Sequence, residues 1–147
     1  MTTIRLAQPA DYPAITQLLA DALMVPALFA PPSQWWVATA PDTTVVGAVG
    51  VEPDGACWLL RSAVVAAPAQ HNGIGKALVG TVIHAAQAAR VNTLFCFGTD
   101  VGDYWEQRGF SVVSVNELCS HVPNAPQIGQ FRANGWLADD VAWRKEL

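Results

Sequence analysis

The residues from Gln70 to Lys76 (QHNGIGK) have the types and spacing of an anion-binding turn. Gly73 and Gly75 lack a β-carbon, so the backbone around them can approach a bound anion closely. If a helix begins here, its first amide groups have no partners within the helix and carry partial positive charge. Lys76 would add a full charge in the first turn. The stretch therefore predicts a phosphate-binding site, with a strand-to-helix turn that binds nothing as the alternative.

The spacing of this turn differs from the spacing of two better-known phosphate-binding loops. A P-loop has the pattern GxxxxGK[ST], whereas Gln70 stands in place of its first glycine and Ala77 follows the lysine. A dinucleotide-binding fingerprint, GxGxxG, needs a third glycine where Leu78 stands. Neither of these nucleotide-binding classes is predicted.

Two charged residues stand within apolar surroundings upstream of the turn. Arg61 interrupts the run WLLRSAVV, and an interior guanidinium needs an anionic partner. That partner is either the carboxylate of an amino-acid-like substrate, held through two hydrogen bonds, or Glu52 or an aspartate in a structural ion pair. Glu52 ends the preceding strand-like run and is the best-placed carboxylate for a general base. The alternative for Glu52 is a solvated strand end.

The elements that must position these residues follow from the apolar pattern. Residues 58–65 form an apolar run of strand length, and apolar residues recur every four positions from Ile74 to Ala86, which indicates a helix ending near Arg90. By similar patterns, strands are predicted at 3–6, 34–39, 44–52, 92–98, 110–115 and near 141–144, with helices over 11–23, 101–108 and 127–134. The segment 24–33 holds three prolines and cannot be a regular helix or a central strand.

The composition favours one domain over residues 1–147. This length is sufficient to bury a core, and the 52% hydrophobic and 14% charged content indicates a well-filled core and is compatible with an apolar homodimer interface. A net charge of −4 argues against a nucleic-acid partner, which requires a basic face.

The sequence shows neither a membrane span nor a secretory signal. No apolar run approaches the roughly 18 residues that a spanning helix needs, and the amino terminus lacks a basic region followed by an apolar one. We therefore expect a cytoplasmic protein without membrane contact. Cys57, Cys96 and Cys119 form no CxxC pair, so we expect reduced thiols and no metal site.

The turn also resembles the acetyl-CoA loop of the GCN5-related N-acetyltransferases (GNAT), [QR]xxGx[GA], in which Gln70, Gly73 and Gly75 fill the pattern. A second stretch, Asp103–Phe110 (DYWEQRGF), resembles the YEKxGF element of the same family and occurs in the same order. The resemblance implies an α/β (α+β) fold with a central mixed, mostly antiparallel sheet and helices on both faces.

The resemblance also implies a cofactor, acetyl-CoA, and transfer of its acetyl group directly to an amine. Val64 and Val65, at the end of the strand before the turn, would offer backbone groups to the pantetheine arm and the thioester oxygen, at a point where the strand pair splays. The other residues implied to bind the cofactor are Gln70, His71, Asn72, Gly73, Ile74, Gly75, Lys76 and Thr99. Segment 24–33 would lie over the acceptor, so Leu28 and Phe29 either face the substrate or fill the core.

The family's usual acid is missing from this chain. A tyrosine normally stands four residues before the glycine of YEKxGF, where this sequence has Trp105. Tyr104 is the candidate acid in its place, although one residue along a helix rotates a side chain by about 100°. The alternative is that Tyr104 is a half-buried aromatic and that water protonates the thiolate, since a thiol with a pKa near 8.5 needs little help.

A closer resemblance, to the small N-acetyltransferases associated with bacterial arsenic-resistance clusters, rests on Leu59–Ser62, Gly98–Asp100 and the tail residues Pro126, Ile128 and Gln130–Phe131. A CP pair expected after the phenylalanine is absent. The predicted function is acetylation of the amine of a small molecule, with amino-acid-like compounds among the candidates. The alternatives are acetylation of a protein or peptide amine, and a non-catalytic CoA-binding domain.

Overall fold

The computed structural model describes residues 2–98 and 103–147. Its strands are β1 (Thr3–Leu6), β2 (Gln34–Thr39), β3 (Val45–Asp54), β4 (Cys57–Val65), β5 (Thr93–Phe97), β6 (Ser111–Val113) and β7 (Ala142–Glu146). Its α-helices are α1 (Tyr12–Asp21), α2 (Ile74–Ala88), α3 (Tyr104–Gln107), α4 (Val115–His121) and α5 (Pro126–Ala133). In this part of the chain, no helix is long and apolar enough to cross a bilayer.

The strands form a mixed sheet in the order β1-β2-β3-β4-β5-β7-β6. Strands β4 and β5 are parallel, whereas the β1–β2, β2–β3, β5–β7 and β6–β7 pairs are antiparallel. The parallel pair is joined through α2, the crossover helix that the four-residue apolar repeat predicts. The predicted fold class, a mixed and mostly antiparallel sheet with helices, is confirmed.

The chain divides into two compact units, each with its own core. The first comprises Met1–Val51 and Ser62–His84, and the second Glu52–Arg61 and Ala85–Leu147. In the first, α1 packs through Ile15 and Leu19 against the sheet residues Trp35, Val37, Ala48 and Val64. In the second, α4 and α5 cover the strands with a core of Leu59, Phe95, Leu118, Val122, Ala125, Ile128 and Ala142. A single domain stays a prediction.

Three predicted element boundaries were wrong for identifiable local reasons. The strand predicted at 110–115 ends at Val113, because the Ser114 hydroxyl accepts a hydrogen bond from the Glu117 amide (3.0 Å) and thereby caps α4. Helix α4 itself was not predicted from the sequence. Strand β3 extends past Glu52 to Asp54, whose carboxylate accepts a hydrogen bond from the Asn124 amide (2.9 Å). The last strand runs to Glu146 instead of ending near residue 144.

Candidate active site

The parallel ladder between β4 and β5 covers the first part of β4. The β4–β5 ladder runs from Cys57 opposite Thr93 to Leu60 opposite Cys96, whereas β4 itself continues to Val65. Ser62, just past the last pair, has a φ of 59°, a left-handed conformation that is rare for a non-glycine residue in a strand. The splay of the strand pair at this point stays a prediction.

The turn after β4 is held in shape by its own side chains. The Gln70 side-chain amide donates to the Val65 carbonyl (3.0 Å), and the Asn72 amide donates to the Ala69 carbonyl (3.3 Å). At its start, the Ala66 amide donates to the Val46 carbonyl of β3 (2.8 Å). In this geometry the Gln70 side chain ties the turn to the strand, which gives a physical reason for a glutamine at that position.

The amide groups at the start of α2 are arranged as an anion-binding site requires. His71 and Gly73 adopt left-handed φ values of 67° and 77°, and α2 begins at Ile74. Within residues 2–98 and 103–147, no hydrogen-bond acceptor is found for the amides of residues 71–76. A β-carbon built on Gly73 would meet no atom within 4 Å, so open space adjoins these donors. The turn fits a diphosphate at the positive end of a helix dipole.

Ile74 contributes differently from its neighbours. Its side chain is buried, and a β-carbon on Gly47 of β3 would lie 3.3 Å from its Cγ2 atom and 3.1 Å from Leu78 Cδ1. Gly47 thus lets α2 pack closely on the strands, and only the backbone amide of Ile74 can take part in binding. The side chains of His71, Asn72 and Lys76 are exposed.

A cavity of about 240 Å³ lies against the end of β4. The strand and turn residues Val64–Pro68 and Gln70 form one wall, and Leu18, Asp21 and Ala22 at the end of α1 form the other. The lining is mostly apolar, with the Asp21 carboxylate accepting a hydrogen bond from Gln17 (2.7 Å) at its edge. A flexible chain with apolar stretches, such as the pantetheine arm of coenzyme A, fits such a cavity.

Arg61 and Glu52 form a fully buried ion pair. Arg61 Nη1 donates to Glu52 Oε2 (2.8 Å) and to Gln130 Oε1 (2.7 Å), and both charged side chains have 0% exposure. The second carboxylate oxygen, Glu52 Oε1, accepts a hydrogen bond from the Gln127 amide at the start of α5 (2.8 Å). Burial lowers the pKa of Arg61, and its hydrogen bond to Glu52 opposes that shift.

This geometry decides between the alternatives for the two charged residues. The reading of Glu52 as a solvated strand end was wrong, and the ion pair considered for Arg61 is present. A carboxylate with both oxygens already hydrogen-bonded is poorly placed to take a proton from a substrate. An arginine paired in this way is also a poor clamp for a second carboxylate. The roles of Glu52 as base and of Arg61 as clamp stay predictions that these contacts do not favour.

The candidate acid Tyr104 is half-buried, and the Arg108 guanidinium lies 4.0 Å from the centroid of its ring. The neighbouring Trp105 is buried against Phe110, with 5.2 Å between ring centroids. Nothing in this arrangement tests whether Tyr104 donates a proton, so that role stays a prediction. Thr99 lies outside the described residues.

The two apolar residues of segment 24–33 differ in their surroundings. Phe29 stacks on Tyr12, with 3.9 Å between ring centroids, and packs against the core of the first unit, as a core residue would. Leu28 is 38% exposed, and its carbonyl accepts a hydrogen bond from Trp35 Nε1 (3.1 Å). A substrate-facing role is compatible with Leu28 and is less compatible with Phe29.

Sequence reasoning gave no role to Gln127, which contacts Glu52. A signal was present, because Gln127 and Gln130 stand three residues apart just after Pro126, so they share one face of a helix that begins at that proline. Phe131 lies on the same face and indicates that this face is buried, so the side-chain amides of the two glutamines are expected to be buried with it. That pattern indicates partners on the strands beneath it.

Solved structures of several acetyltransferases resemble the chain. It matches N-acetylglutamate synthase from Neisseria gonorrhoeae complexed with coenzyme A and N-acetyl-glutamate with a TM-score of 0.79 and 22% identity, over 100% of this chain and 35% of that one. A GNAT-family acetyltransferase from Staphylococcus aureus Mu50 matches with a TM-score of 0.77 and 14% identity, over 100% and 99% of the two chains. The ribosomal-protein-S18-alanine N-acetyltransferase from Escherichia coli matches with a TM-score of 0.69 and 18% identity, over 77% and 79%.

These likenesses establish the fold, and the chain spans about a third of the length of the synthase. No curated protein matches the sequence. The closer resemblance to the arsenic-resistance-associated acetyltransferases is not supported by these comparisons. The model of the acetyltransferase (GNAT) family matches residues 3–110, which is most of the 147 residues. The chain belongs to the GNAT acetyltransferase family.

Proposed function

We propose that this protein is an acetyl-CoA-dependent N-acetyltransferase that acetylates the amine of a small molecule by direct transfer. The observation that carries the proposal is the row of amides from residue 71 to residue 76, which have no acceptor in residues 2–98 and 103–147 and stand at the start of α2. A diphosphate satisfies several such donors at once. The coenzyme A in the related synthase structure supports the same assignment.

Different groups of the protein bind different parts of acetyl-CoA. The amides of residues 71–76 hold the diphosphate, and Lys76 adds charge beside it. The backbone of β4 past Ser62, the residue with a left-handed φ, offers hydrogen bonds to the pantetheine arm, while the cavity beside Val64 and Val65 takes its apolar portion. When bound, acetyl-CoA supplies the acetyl group as a thioester.

Positioning accounts for most of the rate enhancement in this proposal. In the transfer, a C–N bond forms, the thioester C–S bond breaks, the amine loses a proton and the sulfur gains one. Holding the two reactants in line removes much of the entropic barrier. Because a thiol with a pKa near 8.5 is a good leaving group, water can protonate the sulfur, and Trp105 in place of an acid does not prevent turnover.

The acceptor is proposed to be a small molecule because segment 24–33 packs onto α1 and β2 through Phe29 and the Leu28 carbonyl. A lid of this kind favours a closed pocket over an open groove for a polypeptide. Trp105, which has no ionisable proton, stands where the family has its tyrosine acid. This substitution favours one rival proposal, a CoA-binding domain without activity. Such a domain binds acetyl-CoA but releases no thiol with any amine.

The test combines binding with turnover. Saturation at about 100 times Kd stabilises a protein by about 2.7 kcal/mol, which is a rise in Tm of roughly 5–10 °C for a chain of this size. We expect that rise with acetyl-CoA, with protection of the amides of residues 71–76 from hydrogen exchange. Acetyl-pantetheine, which lacks the diphosphate, is the matched control and should protect them far less.

Turnover is then measured as acetyl-CoA-dependent thiol release over amines, amino acids, polyamines and peptides. Release with small amines and none with peptides supports the proposal. If saturating acetyl-CoA neither raises Tm nor protects residues 71–76, the assignment is refuted. If it binds and no amine in the panel releases thiol, the non-catalytic rival replaces the proposal.

A further inference from the structure

The cavity beside the end of β4 carries negative charge on one wall. Its volume is about 240 Å³, and Asp21 is the only ionisable side chain among its lining residues, all of which are described. Every lining residue belongs to the first compact unit, which also contains the anion-binding turn at residues 70–76. The position of the charged wall relative to that turn is therefore set within a single unit.

The Asp21 carboxylate is oriented by the protein but not neutralised by it. Gln17 Nε2 donates a hydrogen bond to Asp21 Oδ1 (2.7 Å), which holds the carboxylate in place. Within residues 2–98 and 103–147, Asp21 Oδ2 accepts no hydrogen bond and the carboxylate forms no ion pair. An N–H group of a positively charged ligand would satisfy this second oxygen through a charge-assisted hydrogen bond.

The place of Asp21 in its helix is unfavourable in the free protein. Asp21 is the last residue of α1, and no basic residue stands in the last turn of that helix. The carboxyl end of a helix carries partial negative charge, so an acidic side chain there is repelled. The helix end and the carboxylate both attract a ligand cation, and a cation bound at this wall would relieve the repulsion between them.

The cavity offers no cation to a substrate carboxylate. None of its lining residues, all of them described, is basic. Arg5, elsewhere in the same unit, is paired with Asp11 at 2.7 Å. Lys76 stands in the first turn of α2, where the proposed function places the diphosphate of the cofactor. An acceptor with a carboxylate near Asp21 is therefore disfavoured.

The two walls of the cavity suit opposite ends of an acceptor. The thioester of acetyl-CoA is proposed to lie at residues 64–65, so the attacking nitrogen must come within about 3–3.5 Å of the thioester carbon at that wall. Asp21 lies on the other wall, which the end of α1 forms. Segment 24–33, the proposed lid, follows this end of α1 and packs back onto the helix, where Phe29 stacks on Tyr12. The acceptor group that reaches Asp21 is therefore separate from the reacting nitrogen.

We propose that Asp21 determines the specificity of the acceptor site, and that the acceptor is a primary amine with a second, positively charged nitrogen on a short apolar chain and no carboxylate. This inference rests on the proposed acetyltransferase function and names the substrate class of the same site. Asp21 Oδ2 accepts a hydrogen bond from the second ammonium group. The other nitrogen, after losing a proton to solvent, forms the C–N bond as the C–S bond breaks, and the sulfur takes a proton from water.

The test compares four-carbon amines that differ at the far end of the chain. That end carries a second ammonium group in 1,4-diaminobutane, a methyl group in butylamine and a carboxylate in 4-aminobutanoate. With acetyl-CoA saturating, kcat/KM from thiol release should be roughly 10-fold higher for 1,4-diaminobutane than for butylamine, the value of one charge-assisted hydrogen bond, and lowest for 4-aminobutanoate. A ratio no larger than the statistical advantage of having two equivalent amines refutes the inference, as does a preference for 4-aminobutanoate.

Asp21→Asn assigns the preference to the carboxylate. Asparagine keeps an oxygen for the hydrogen bond from Gln17 and removes the charge. The preference for 1,4-diaminobutane over butylamine should fall to the statistical advantage, through a higher KM for the diamine. The Tm of the free protein should stay unchanged or rise by roughly 1–4 °C, because the helix end no longer carries a like charge. A lower Tm with an equal loss for both amines is the result of a purely structural role and would refute the inference.

Two further variants complete the test. Asp42→Asn changes the net charge by the same amount, in the turn between β2 and β3 and outside the cavity lining, and should leave the preference unchanged. Asp21→Glu keeps the charge at the helix end and should keep a preference for the diamine. If Asp42→Asn lowers the preference as much as Asp21→Asn does, the effect comes from net charge and the inference fails.

Failure of this inference differs from failure of the proposed function. Thiol release from several amines without a preference for 1,4-diaminobutane refutes the role of Asp21 alone. If saturating acetyl-CoA gives neither a shift in Tm nor thiol release with any amine, the acetyltransferase proposal itself is refuted.

Discussion

Replacing Gly73 with alanine tests the anion-binding turn directly. Gly73 has a φ of 77°, and a β-carbon at this position would meet no protein atom within 4 Å. The substitution therefore adds no clash within the protein, and its cost to folding is the left-handed backbone alone. That cost is about 1–2 kcal/mol, or roughly 2–8 °C in Tm for a chain of this length.

The effect of Gly73→Ala on binding should exceed this folding cost. The added methyl group points into the open space beside the free amides, and relief of the left-handed strain moves those amides. Loss of one charge-assisted hydrogen bond costs about 1.5–3 kcal/mol, which corresponds to a roughly 10- to 100-fold rise in the Kd for acetyl-CoA. The assay is isothermal titration of acetyl-CoA, with Tm measured in parallel.

Gly55→Ala provides the matched control. Gly55 is also left-handed, with a φ of 62°, and also has no atom within 4 Å of a built β-carbon, but it lies in the turn between β3 and β4. It should show the same loss in Tm and no change in Kd. If Gly73→Ala weakens acetyl-CoA binding no more than Gly55→Ala does, the amides of residues 71–76 do not hold the diphosphate.

Three further substitutions probe other contacts. Glu52→Ala leaves the Arg61 charge buried without its carboxylate partner and should lower the free energy of unfolding, measured by urea titration, by about 3–5 kcal/mol. A double variant with Met at both positions should lose less stability than Glu52→Ala. Equal losses in the two variants would contradict the reasoning. Gln70→Leu should raise KM for acetyl-CoA with little change in kcat, because its side chain only ties the turn to β4, and a loss confined to kcat would argue against this. The Arg5 hydrogen bonds lower the pKa of Asp11, so its contribution to stability is complete above its ordinary pKa of about 3.9 and disappears as the pH falls through the lower folded value. The difference in free energy of unfolding between the unmodified protein and Asp11→Asn, measured by urea titration, should therefore shrink on acidification below about pH 4. A difference that grows would contradict the lowered pKa of Asp11.

The features that the sequence determined are local ones. The glycines, Gln70 and the four-residue apolar repeat lie within one short stretch, and the strand, turn and helix that they predict are present because each depends on near neighbours. The resemblance of that turn to the acetyl-CoA loop led to the family, which the match over residues 3–110 confirms. The fold class, too, was what that resemblance implied.

The features that only the tertiary structure decided depend on residues far apart in the chain. Arg61 meets Gln130, 69 positions away, and Glu52 meets the Gln127 amide, 75 positions away, and no pattern of spacing specifies such pairs. Whether Glu52 was solvated or buried depended on α5 packing over it, which one sequence does not reveal. The sequence is the same whether a charged side chain lies in water or in a core. The chemistry of that side chain is set by the groups that the fold brings within about 3 Å of it.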